Sequence, residues 1–124
     1  MVDTLKEKQR MDELVEAFRG YIREQNYFDI VYSEKIGYLR IVLAENADET
    51  VIRLGSFDEI LETLIDDMLM EEAEKLPKTA IEPDYQSIDL EKVRGRLLEI
   101  FENLQEKAYC TAVMERQLTQ WMQQ

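Results

Sequence analysis

No histidine occurs anywhere in these 124 residues, and cysteine occurs once, at Cys110. The missing imidazole removes Ser-His-Asp and Cys-His catalysis, histidine-bearing zinc sites and the most frequent general base. One cysteine cannot close an intrachain disulfide, which fits a reducing compartment, so a cytoplasmic location is expected. Cys110 stands among apolar residues, where a thiol is ordinarily inert. The four glycines, Gly20, Gly37, Gly55 and Gly95, lie in unrelated contexts and build neither a P-loop nor a dinucleotide fingerprint. A calcium loop with acidic residues at alternate positions is also missing. No apolar run approaches the ~18 residues that a membrane span needs. The opening MVDTLKEKQR is charged and holds no secretory hydrophobic region.

Basic residues are scarce beside acidic ones, 15 against 27, for a formal net charge of −12. Such a surface repels phosphates and anionic lipid and attracts basic proteins or cations. Nucleic-acid binding through a basic groove and membrane association are therefore not expected. The excess is concentrated: residues 56–89 carry eleven acids and two bases, whereas residues 90–124 carry five of each. With 45% hydrophobic residues and two prolines, the composition is that of a folded chain, and its length predicts a single domain over 1–124.

Apolar spacing sets the expected order of elements. Thr4 followed by Glu7 fits a capping box, and Met11, Leu14, Val15, Phe18, Tyr21 and Ile22 recur at helical intervals, giving a first helix within 1–26. The period then drops to two. Residues 27–55 predict three short strands joined by EKIG and ENADE, too short to be anything but an antiparallel meander. One face would carry Phe28, Ile30, Tyr32, Leu39, Ile41, Leu43, Ile52 and Leu54 against the helices. The other mixes Tyr27, Val31, Tyr38, Val42 and Val51 with Asp29, Arg40 and Arg53, and is drier than an ordinary solvated face. Ser56 with Glu59 caps a second helix over 56–76, whose stripe is Phe57, Ile60, Leu61, Leu64, Ile65, Met68, Leu69, Ala73 and Leu76. A connector over 77–88 holds Pro77 and Pro83.

The C-terminal helical segment, 89–124, starts on a stripe of Leu90, Val93, Leu97, Phe101, Leu104 and Ala108. Beyond it Tyr109, Val113, Met114, Leu118, Trp121 and Met122 spread round most of the helix, which must then be covered on several sides. Two forms fit: one helix of some thirty residues, or a helix that breaks near Lys107 and folds back. A homodimer is expected, with those six residues at the oligomer interface. The fold class is α+β, ordered α-β-β-β-α-α, a three-stranded antiparallel meander with helices packed on one face and a long C-terminal helix. Gly20 and Gly95 fall inside helices at a cost of about 1 kcal/mol each relative to alanine; close approach of another backbone, or drift, accounts for them.

Chemistry is left to carboxylates. SFDEILETLIDDMLMEEAEK, Ser56 to Lys75, carries eight acids and one lysine. Asp58 and Glu62 share a helix face, as do Asp67 and Glu71. A catalytic Mg²⁺ would need acids from a second element, and helices 1 and 3 offer none facing inward. A solvated helix face and a docking surface for a basic protein remain, the latter built on Asp58, Glu62, Asp66, Asp67, Glu71, Glu72 and Glu74. RGR at Arg94–Arg96 pairs most simply with Glu91 and Glu99 at i,i+3. No catalytic, cofactor or metal residue is assigned, and no family's motifs can be laid on these residues. In layout and charge the chain resembles small phage-encoded inhibitors, anti-CRISPR proteins among them, that present carboxylates in place of DNA phosphates. The expected function is a non-enzymatic acidic interaction module, an inhibitor or adaptor for a basic, nucleic-acid-binding protein. A metal-dependent nucleotide or phosphodiester hydrolase and a purely structural dimerisation module are the alternatives.

Overall fold

The computed structural model describes residues 4–43, 49–75 and 88–123. The Thr4 side chain, the tip of the ENADE turn, Leu76 and the connector through residue 87 lie outside the described residues. Helices α1 (Thr4–Ala17) and α2 (Arg19–Arg23) lead into strands β1 (Phe28–Ser33), β2 (Gly37–Leu43) and β3 (Glu49–Leu54). Helices α3 (Phe57–Glu74), α4 (Leu90–Phe101) and α5 (Lys107–Met122) follow. The order is α-β-β-β-α-α, an α+β fold on an antiparallel sheet ordered β1-β2-β3. The chain forms two compact units, Met1–Ile60 and Leu61–Gln124, and their boundary falls inside α3.

In the first unit, α1 and α2 nearly continue one another, as the helical stripe predicts. Phe18 N–H donates to Leu14 O at 3.1 Å and Ile22 N–H to Phe18 O at 2.9 Å, so hydrogen bonding crosses the junction. Met11, Leu14, Val15, Phe18, Tyr21 and Ile22 are buried, as are Phe28, Ile30, Tyr38 and Leu54 of the sheet. The helices meet the sheet through specific bonds. Tyr38 Oη donates to Asp12 Oδ1 at 2.5 Å, and the Lys8 ammonium sits 4.5 Å above the Tyr32 ring. At the far end the Tyr21 and Phe28 rings are 6.5 Å apart.

The register corrects the expected faces. Ile30 pairs with Arg40, Tyr32 with Tyr38 and Phe28 with Val42, and directly paired residues share a face. Tyr38, Arg40 and Val42 therefore join Phe28 and Ile30 on the helix side, and Leu39, Ile41 and Leu43 point the other way. Hydrophobicity could not decide this, because β2 is apolar at both parities. Specific partners decided it instead: Tyr38 reaches Asp12, and the Arg40 guanidinium lies 4.2 Å above the Phe28 ring with the residue only 9% exposed. The β1–β2 connection closes with Ile36 N–H on Ser33 O, and Gly37 takes φ +100°, a conformation side chains resist. The opposite face carries Val31, Leu39, Ile41, Leu43 and Val51 among Asp29, Glu49 and Arg53; Leu43 and Val51 are more than half exposed.

The second unit holds the C-terminal segment in its broken form. Asp89 Oδ1 caps α4 by accepting from Lys92 N–H at 3.1 Å. The chain turns over residues 102–106, where Leu104 N–H reaches Phe101 O and Lys107 N–H reaches Leu104 O. The long helix α5 then returns antiparallel to α4, and Arg94 binds Glu115 through two nitrogens, at 2.7 and 3.1 Å. RGR thus pairs only partly as expected: Arg94 also meets Glu91, whereas Arg96 reaches Glu71.

Among the described residues, and apart from the local helix backbone, nothing lies within 4 Å of the position a Cβ would take at Gly20 or Gly95, so no approach of another described backbone accounts for either glycine. Replacing Gly20 or Gly95 by alanine should therefore raise unfolding free energy by about 0.5–1 kcal/mol each. Urea denaturation checks this; a loss of stability in Gly95→Ala would mean an unseen neighbour fills the space.

Candidate interaction surface on the acidic helix

Helix α3 starts at a formed capping box. Ser56 Oγ accepts from Glu59 N–H at 3.1 Å, and the Glu59 carboxylate accepts from Gly55 N–H at 2.7 Å. Glu7 adds a further cap, its Oε1 accepting from Phe57 N–H at 3.1 Å. Asp58 and Glu59 sit in the first turn, where the helix dipole favours negative charge. The apolar stripe from Phe57 to Leu69 is buried as the spacing predicts.

The acids do not all look outward, and this corrects the expected geometry. Asp58, Asp66 and Glu74 are exposed, Glu62 and Glu71 are half-buried, and Asp67 and Glu72 are buried at 7% exposure each. In the second unit, α4 and α5 bring cations to them. Glu72 Oε1 lies 3.0 Å from Lys75 Nζ and 3.2 Å from Lys92 Nζ. Glu71 Oε2 lies 3.3 Å from Arg96 Nη1. Burial pushes the Glu72 carboxyl upward, but hydrogen bonds and charge from Lys75 and Lys92 outweigh it and hold the group below the ordinary glutamate range. Periodicity placed these acids off the core stripe; it could not say that another helix would cover them.

Beside this neutralised stretch lies a cleft of about 600 Å³, lined by Glu62, Asp66, Arg116, Gln117 and Gln120. Gln117 Nε2 donates to Glu62 O at 2.8 Å and to Asp66 Oδ1 at 2.7 Å, which fixes the amide orientation. Its Oε1 is then a buried acceptor with no hydrogen-bond partner among the described residues. The Arg116 guanidinium stands 3.5 Å from Glu62, an exposed pair of small energy. The cleft therefore sets two carboxylates, Glu62 and Asp66, beside the N–H donors of Arg116 and Gln120. Gln117 escaped the sequence reading because one glutamine in a Gln-rich tail carries no pattern. Among the described residues, no group of three or more His, Cys, Asp or Glu is arranged to hold a metal ion.

The residues expected at an oligomer interface separate. Val113, Met114 and Leu118 are buried within the chain, together with Cys110. Trp121 is half-buried, and Tyr109 and Met122 are 41% and 56% exposed. The folded-back hairpin accounts for much of the covering that an all-round apolar helix required. A second polar feature, absent from the sequence reading, lies in the first unit. There Lys8, Tyr32, Tyr38 and the exposed Leu5 and Ile36 line a groove of about 620 Å³, and Asp12 accepts from Lys8 and Tyr38. Burial, reinforced by Asp12, raises the Tyr38 hydroxyl well above the ordinary tyrosine range, so it stays a donor.

Glu72→Gln should cost about 1 kcal/mol near neutral pH by weakening two charge-assisted bonds. A depressed carboxyl stabilises the fold above its unfolded pKa, and that contribution disappears as pH falls through the lower folded value. The gap between wild type and Glu72→Gln should therefore narrow as pH drops below 4.5, the reference value for glutamate. Urea titrations at stepped pH measure it, and a gap of constant size would refute the paired role. The sequence matches no protein-family model, and neither a curated protein nor a solved structure is significantly similar to it.

Proposed function

We propose that the chain is a non-enzymatic interaction module that receives a lysine or arginine side chain of a basic protein in the cleft between α3 and α5. One observation carries the reading: the carboxylates of half-buried Glu62 and exposed Asp66 line one open cleft. Ammonium and guanidinium groups are donors only, so they suit these carboxylates. Arg116 occupies the mouth as a weak surface ion pair, and an incoming cation exchanges with it at little cost. The exposed acids Asp58, Asp66 and Glu74 add a long-range field that steers a basic surface toward this helix. A partner that normally holds nucleic acid has the required surface, and its phosphate sites would be occupied by carboxylates.

The docking set is smaller than the seven acids expected. Asp67 and Glu72 are buried and Glu71 lies outside the cleft, so the two acids that line it, Glu62 and Asp66, carry the contact. The double variant Glu62→Lys/Asp66→Lys should weaken binding of an Arg/Lys-rich peptide at least about ten-fold, and raising salt from 50 to 300 mM should weaken the wild type comparably. NMR titration reads both effects, with shifts expected at residues 62, 66 and 116–120. Binding that the variant leaves unchanged would rule out the cleft as the docking site.

A further inference from the structure

The two edges of the sheet are finished differently. Residues of an antiparallel ladder direct their backbone groups alternately to one neighbour and the other. Leu43 N–H donates to Tyr27 O at 2.8 Å, so Leu43, Ile41 and Leu39 face β1, and Val42, Arg40 and Tyr38 face β3. Carried through the register, Thr50, Ile52 and Leu54 are engaged with β2. Glu49, Val51 and Arg53 then turn their N–H and C=O groups to the free side of β3, and Phe28, Ile30 and Tyr32 turn theirs to the free side of β1.

The β1 edge is guarded. Ile30 N–H donates to Asp29 Oδ1 at 2.8 Å, and Ile30 O accepts from Arg19 Nη1 at 3.3 Å. Side chains thus occupy the central outward groups of that edge, a common defence against strand addition. Among the described residues the β3 edge has no such guard: no strand pairs with it and no side chain bonds its outer backbone groups. Every residue from Glu49 to Arg53 is exposed, including Val51 on one face at 56% and Ile52 on the other at 46%. Lysine, proline and bulges, which blunt edges elsewhere, are missing from this strand.

We propose that β3 pairs antiparallel with β3 of a second copy, about a two-fold axis through Val51, to make a continuous six-stranded sheet. The occupant follows from the strand's own charge order. With Val51 opposite Val51, Glu49 of each copy stands opposite Arg53 of the other, on one face, and all three pairs fall at outward-directed positions as the ladder demands. A register shifted by two residues sets Val51 against Glu49 or Arg53 and breaks both charge pairs. The strand complements itself, as an isologous contact must. Its charges balance locally although each copy carries −12. The pairing also doubles the apolar face formed by Val31, Leu39, Ile41, Leu43 and Val51.

Sedimentation velocity across a concentration series tests the assignment. Wild type should show a reversible monomer–dimer equilibrium, weak because one strand pair buries less than the roughly 1,200 Å² of a standard interface. Two-fold symmetry means that Arg53→Glu converts two attractive pairs to repulsive ones and should weaken dimerisation at least about ten-fold. The swap Glu49→Arg/Arg53→Glu restores opposite charges and should recover the wild-type constant to within about three-fold. In wild type, the Val51 and Arg53 amides should exchange more slowly as concentration rises, whereas the Ile52 amide, already bonded to β2, should not change. A monomer at every concentration up to about 1 mM, or a dimer indifferent to Arg53→Glu, overturns the pairing and assigns the edge to some occupant other than a second copy.

Discussion

Eight carboxylates on one helix repel each other, and α3 tolerates them because Lys75, Lys92, Arg96 and Arg116 stand within 4 Å of three of them. The most buried of these pairs is the most consequential. Glu72 has left water almost completely, and an uncompensated charge there would cost several kcal/mol or force protonation. Two lysines remove that cost, Lys75 just beyond the end of α3 and Lys92 of α4. The second unit is therefore organised by charge as much as by its apolar core. Ion pairs between α3 and α4, and between α4 and α5, set which faces the helices present.

That neutralisation changes what the acidity means. A net charge of −12 suggests a broad negative surface, yet part of it is spent inside the molecule. What reaches solvent along α3 is a shorter set, and one portion of it, Glu62 and Asp66, borders a cleft. A general electrostatic property becomes a localised one when specific cations cancel the rest. Under the proposed docking, affinity and steering separate: distant acids would raise the encounter rate, and the cleft would set what is held.

The sheet obeys a comparable rule of local partners. Arg40 occupies a buried position on the helix-covered face because Phe28 offers its ring and because β2 has apolar residues at both parities. Cation–π stacking of this kind is worth about 1 kcal/mol, enough to choose between two registers that hydrophobicity leaves nearly equal. The consequence is an opposite face richer in leucine and isoleucine than alternation alone implied, ending at an edge strand exposed on both sides.

Element order, the meander, the buried stripe of α3 and both of its capping residues, Ser56 and Glu59, were legible from spacing, because each depends on neighbours within a few residues. The missing chemistry of histidine, paired cysteines and glycine-rich loops was legible in the same way, since composition needs no fold. What only tertiary structure decided depends on residues far apart in the chain. It turned β2 over, sent Val113, Met114 and Leu118 into the core, and broke the C-terminal segment at residues 102–106. It also buried Asp67 and Glu72 and set Gln117, 51 residues away, against Asp66. Local spacing records which side of a helix is polar. Whether water or another helix meets that side is settled by chain reversals whose partners the spacing does not contain.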